Sequence, residues 1–98
     1  MREFTVSLRA ISDLDEIYTY LAEHADATVA DRMMNSIRDA FAMIGRQPEI
    51  GSRVEVRSPA LRFVMAGNYV VLYDKQSRLP QIRRVMHGAR DLSEYFEN

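Results

Sequence analysis

A chain of 98 residues, 47% apolar and 28% charged, with 13 basic against 14 acidic side chains and no Cys, is long enough for one core and too short for two, so a single domain over residues 1–98 is expected. That balance excludes a disordered chain. The lack of Cys excludes a disulfide framework, a thiolate zinc site, an iron–sulfur cluster and a Cys nucleophile. No apolar run approaches the roughly 20 residues of a membrane span, and MREFTVSLRA lacks the apolar stretch of a signal peptide. A cytoplasmic location without a membrane partner is the expectation.

The first element is a strand. Phe4, Val6 and Leu8 alternate with Glu3, Thr5 and Ser7, the period of two that buries one face. From Ala10 the period lengthens: Ile11, Leu14, Tyr18, Leu21 and Ala25 recur every three or four residues, the stripe of an amphipathic helix. Asp13, Asp15 and Glu16 fall in its expected first turns, where acids suit the positive end of the helix dipole, and His24 suits its negative end.

A second stripe, Val29, Met33, Ile37, Ala40, Phe41 and Ile44, follows a short polar break. Asp26 and Thr28 both suit its N-cap, and Thr28 with Asp31 resembles a capping box. Gly45 and Pro48 are expected to stop it. The short connection implies an antiparallel helical hairpin, whose stripes need a sheet to cover.

After Gly51 β-favouring residues cluster at Arg53–Val56, Leu61–Met65, Tyr69–Tyr73 and Gln81–Met86. Gly67-Asn68 reads as a tight turn and Asp74–Pro80 as a looser one, giving an antiparallel meander. Tyr69 and Tyr73 share a strand face and read as half-buried residues with exposed hydroxyls. Methionines 33, 34, 43, 65 and 86 read mostly as core filling. Residues 91–97 are expected either to form one or two helical turns anchored by Tyr95 and Phe96 or to stay mobile until a partner binds. The order predicts an α+β domain: an N-terminal strand, an antiparallel two-helix hairpin packed on a three- to four-stranded antiparallel sheet, and a short C-terminal helical segment.

The net charge of −1 conceals three blocks. Residues 1–45 carry −4, residues 46–90 carry +6 and residues 91–98 carry −3, with twelve Arg against one Lys. An anionic partner would meet the middle block, and Arg suits bidentate contact with carboxylate or phosphate. In the last strand, parity puts Arg84 with Ile82 and Met86, and Arg83 and His87 with Val85. One Arg must therefore reach over an apolar face, snorkelling or pairing with a carboxylate. Arg62 is expected to neighbour this group. The chain contains no Walker loop, dinucleotide fingerprint, HExxH or G-x-S-x-G, so no cofactor and no metal are expected.

The strings DLDEIYTYLAEH at 13–24, QPEIGSRV at 47–54, LRFVMAGNYVVLYD at 61–74 and IRRVMHGARD at 82–91, in this order and spacing, resemble the ParE branch of the ParE/RelE type II toxin superfamily. The resemblance implies the RelE/ParE toxin fold and a toxin held inactive, in a hetero-oligomer, by a cognate antitoxin that is a small DNA-binding protein. It further implies inhibition of DNA gyrase, with no chemistry and no specific DNA binding by the toxin alone. Arg62, Arg84, His87, Arg90, Asp91, Tyr95 and Phe96 are then the expected partner-binding residues. The alternative branch, RelE, cuts messenger RNA on the ribosome; there Arg62, Arg84 and His87 would be catalytic and Glu55 a base. A general base, cations and an acid must then converge in one pocket. Docking on ribosomal RNA would also favour a net positive charge, which this chain lacks.

Overall fold

In a computed structural model, which describes residues 4–54, 60–75 and 78–88, the chain opens with a two-residue strand, β1 (Thr5–Val6). The alternating pattern ends earlier than expected because Ser7 caps a helix: its hydroxyl accepts from the Ala10 N–H at 3.1 Å and donates to the Arg83 carbonyl at 3.0 Å. Helix α1 is Leu8–His24, so Leu8, expected in the strand, is helical and 84% exposed. The early start also moves Asp13, Asp15 and Glu16 past the first turn, which holds no acid.

The face of α1 that is buried is not the one expected. Ala10, Asp13 and Ile17 are buried, with Leu14 and Leu21 partly so, whereas Ile11 and Tyr18 are exposed. The true stripe is rotated by about one residue, and it contains a carboxylate. At the end of α1 the His24 ring stacks on Tyr20 and its Nδ1 lies 2.9 Å from the Tyr20 carbonyl oxygen.

Helix α2 is Ala27–Arg46 and follows the expected stripe: Ala30, Ile37, Ala40, Phe41 and Ile44 are buried, and Met33 packs against them. Asp26 is the N-cap, its carboxylate accepting from Val29 N–H at 2.9 Å. Thr28 therefore lies inside the helix, and Asp31 instead accepts a bond from the Tyr18 hydroxyl at 3.1 Å. Gly45 also lies inside the helix, buried; the chain leaves it at Gln47, before Pro48.

The remaining strands are β2 (Ser52–Arg53), β3 (Leu61–Ala66), β4 (Tyr69–Asp74) and β5 (Gln81–His87). The expected meander is present, but the sheet is wider than three or four strands. Its order is β1-β5-β4-β3-β2, with β1 parallel to β5 and every other pair antiparallel. β1 joins because Thr5 and Ser7 N–H groups reach the Pro80 and Ile82 carbonyls at 3.0 and 2.9 Å. The β3–β4 turn uses Gly67 at φ +60, a left-handed conformation that suits glycine. Beyond Val54 the expected strand Arg53–Val56 lies outside the described residues, as does the expected C-terminal helical segment.

Expected strand parity fails at one place. Leu72 faces Arg84 while Tyr73 faces Ile82, so a bulge leaves Arg83 as the extra residue. Ile82 therefore joins Val85, Val71 and Tyr73 in the cluster under the helices, while Met86 lies in a second cluster with Leu61 and Leu72. Met65 is 52% exposed and is not core. The tyrosines are also deeper than expected: Tyr69 and Tyr73 are both buried, Tyr73 completely. The Tyr73 hydroxyl donates to the Pro48 carbonyl at 2.6 Å and accepts from Gly51 N–H at 2.9 Å. Gly51 must be glycine for space: a Cβ there would stand 2.7 Å from both the Phe63 carbonyl oxygen and the Tyr73 hydroxyl. Among the described residues no helix is long and apolar enough to cross a membrane.

Candidate partner-binding site

A groove of about 750 Å³ opens between the two helices and the end of β5. Ile17 and Leu21 of α1, Val29 and Met33 of α2, and Tyr69, Val85 and Met86 of the sheet supply its apolar lining. Polar groups come from Asp13, Glu16 and Tyr20 on one wall and Asn68, Arg84 and His87 on the other. A cleft whose lining is apolar and polar in about equal measure suits peptide binding, with apolar anchors and hydrogen-bonding groups side by side.

The groove exists because β1 is short. It pairs only with Gln81 and Ile82, so from Arg84 onward the outer edge of β5 has no strand beside it among the described residues. Helix α1 crosses that edge, and Asp13 satisfies it. The carboxylate accepts from the Val85 backbone N–H at 2.9 Å and from Arg84 Nε and Nη2 at 2.8 and 3.2 Å. This is the carboxylate pairing expected of one Arg in the strand, and the bidentate geometry is the strong form of that contact. Arg9, one turn before Asp13 in α1, stands 3.8 Å from the same carboxylate.

At the mouth of the groove the His87 ring meets Tyr69 edge to face, with centroids 5.5 Å apart. Gly88 N–H donates to the Asn68 carbonyl at 2.7 Å, which ties the chain's exit from β5 to the β3–β4 turn. Arg84 and His87 thus both line the groove. Arg62 does not join them. It lies on β3 opposite Tyr73, where its Nη1 donates to the Gly51 and Glu49 carbonyls at 2.9 and 3.2 Å. Its Nε is buried with no hydrogen-bond partner among the described residues. The expected neighbourhood of Arg62, Arg84 and His87 is therefore absent, because the two arginines are drawn to opposite margins of the sheet. Arg90, Asp91, Tyr95, Phe96 and Glu55 lie outside the described residues.

Two tyrosines are shifted in their ionisation. Burial raises the Tyr73 pKa above its usual 10.0, opposed by the Gly51 N–H bond and the Arg62 charge. The Tyr18 pKa is raised by the bond to Asp31 and by that carboxylate's charge. Neither group lines the groove. Among the described residues no three His, Asp or Glu side chains cluster to hold a metal ion.

The expected site residues omitted most of this groove. Asp13, Glu16, Tyr20, Met33, Asn68 and Tyr69 line it and were not among them. Asp13 carried a usable signal, since it falls on the same helical face as Ala10 and Ile17, where an acid requires a buried partner.

The family model described as "ParE toxin of type II toxin-antitoxin system, parDE" matches residues 4–92, which include every residue named in the groove. Toxin ParE1 of Caulobacter vibrioides is 30% identical over 87 residues, covering 89% of this chain and 90% of that protein. The fold is similar to a solved structure of the chromosomal ParDE toxin–antitoxin system of P. aeruginosa, with a TM-score of 0.76 at 17% identity over 90% of this chain and 97% of that one. It is also similar to a chain of the E. coli DinJ-YafQ complex, with a TM-score of 0.65 at 12% identity over 89% and 93% of the two chains.

Proposed function

The chain belongs to the ParE family of type II toxins, and from that premise we propose that it arrests growth by inhibiting DNA gyrase and is neutralised by a cognate antitoxin seated in the groove. Toxins of this family are typically non-enzymatic inhibitors that act by binding protein. The reading places the toxin in the cytoplasm, in a hetero-oligomer with a small DNA-binding antitoxin.

The family match over residues 4–92 carries the proposal. Two physical observations support it. Four cations of the positive block are engaged within the fold: Arg62 with backbone carbonyls, Lys75 with Glu49, Arg83 with Asp74 and Arg84 with Asp13. Strong binding to nucleic acid needs cations directed at phosphates. The groove, in turn, offers the apolar floor that receives an amphipathic helix. Arg84 and His87 at the groove, with Arg90 and Asp91 following in sequence, form the proposed contact surface.

The decisive experiment is a supercoiling assay with purified toxin and purified gyrase. Inhibition that is relieved by the antitoxin encoded beside the toxin gene is the expected result. Growth arrest in cells together with unaffected gyrase overturns the reading. Codon-positioned message 5′ ends after induction would instead establish RNA cleavage of the RelE type.

A further inference from the structure

Tyr20, near the C-terminal end of α1, is 55% exposed. It lines the groove and also a neighbouring recess of about 350 Å³, whose other walls are Asp15, Glu16, Thr19 and Glu23 of the same helix. Only Glu16 and Tyr20 belong to both linings, so the direction in which the Tyr20 ring points decides where the groove ends. A tyrosine this exposed on a helix has more than one staggered rotamer open to it. A partner that used such a side chain as an anchor would have to order it on binding, at a cost in affinity.

Here the ring is ordered before any partner arrives. His24 follows one turn later on the same face of α1, and a helical side chain leans back over the preceding turn. The two rings stack, with centroids 4.2 Å apart and planes 21° apart. The imidazole is fixed in its turn: its Nδ1 lies 2.9 Å from the Tyr20 backbone carbonyl oxygen. A carbonyl can only accept, so Nδ1 carries a proton and donates it to that bond. His24 is thereby tied to the backbone of the residue whose side chain its ring face covers. Tyr18, two residues before Tyr20, is held differently, through its hydroxyl and Asp31. His24 itself lines neither the groove nor the recess.

We propose that His24 is a positioning residue for partner binding: it holds the Tyr20 ring in one rotamer at the groove wall, so that the antitoxin meets an anchor already in place. The proposal rests on the reading of the groove as the antitoxin's seat. It gives His24 a role beyond the helix-end charge that its position in the sequence suggests, one exerted through Tyr20 and without contact between His24 and the antitoxin. Releasing one side chain that must then be ordered on binding is worth roughly 3- to 10-fold in affinity.

A double-mutant cycle on the full-length chain tests it, by calorimetric titration with the antitoxin encoded beside the toxin gene. His24→Ala is expected to weaken binding by roughly 3- to 10-fold, and His24→Ala/Tyr20→Ala to bind no more weakly than Tyr20→Ala alone. His24→Phe, which keeps a ring to stack on Tyr20, is expected to restore most of the affinity. Unaltered affinity in His24→Ala overturns the proposal, and so does an equal loss in the Tyr20→Ala background, which would mark direct contact between His24 and the antitoxin. A readout on the free toxin separates this inference from the reading it rests on. Three-bond NMR couplings to Tyr20 Cγ report its χ1 rotamer, expected to be single in the native chain and averaged in His24→Ala. A single rotamer in both overturns the positioning role while leaving the groove as the antitoxin's seat. Full antitoxin affinity in Tyr20→Ala overturns that seat, and the proposal with it.

Discussion

Asp13 occupies a position that helical periodicity reserves for the core, and its side chain is 7% exposed. It offsets that burial by accepting three hydrogen bonds from Arg84 and Val85. Asp13→Ala leaves the Arg84 guanidinium without its carboxylate and Val85 N–H without an acceptor. We expect a loss of about 3 kcal/mol or more, read as a lower urea midpoint, with part of it recovered in the double variant Asp13→Ala/Arg84→Met. Tyr73, on β4 under the helices, plays a corresponding role. Tyr73→Phe strands the Gly51 N–H and Pro48 carbonyl and is expected to cost about 1–3 kcal/mol. The same hydroxyl makes stability depend on pH. Its folded pKa is raised, so its contribution is complete below about 10 and declines as pH rises from there through the folded value. The urea midpoint of Tyr73→Phe should lack that decline. That Tyr73 lies in a strand was legible in the sequence; that its hydroxyl pins a loop 22 and 25 residues away was not, because nothing local encodes that approach.

Element boundaries were legible where one signal dominated and misplaced where two competed. Helix α2 has one strong stripe and one cap, and both stand as expected apart from the choice of Asp26 over Thr28. At the start of α1, strand alternation and a capping serine overlap within Phe4–Leu8. Ser7 decides the matter because its hydroxyl makes two bonds, one into its own helix and one to Arg83 on β5. Ser7→Ala is therefore expected to lower thermal stability more than Asp26→Ala. The second loses only a helix cap, worth about 1 kcal/mol, and the first loses a cap and a link between elements. Differential scanning calorimetry of the two variants checks the order. The bulge at Arg83 belongs to the same scale: alternation along Gln81–His87 assumed an unbroken ladder, and one extra residue turned Ile82 to the other face.

For the molecule as a whole, the short reach of β1 leaves the end of β5 open, and the two helices complete a groove there. Tyr20 stands at its wall, 55% exposed, an aromatic of the kind that anchors protein interfaces. Tyr20→Ala is expected to weaken the antitoxin complex by roughly 10- to 100-fold, as measured by calorimetric titration, while leaving the unfolding midpoint of the free toxin nearly unchanged. Sequence by itself determined what depends on near neighbours and composition: the helical hairpin, the meander with its Gly67 turn, the absence of thiol chemistry and, through four ordered strings, the family. Only the tertiary structure decided that Arg62 and Arg84 part company, that Asp13 rather than Ile11 faces inward, and that the net charge of −1 includes arginines and a lysine already engaged within the fold. Those outcomes rest on contacts up to 72 residues apart, and a chain's local periodicity carries no information about which distant group will arrive to satisfy a buried charge.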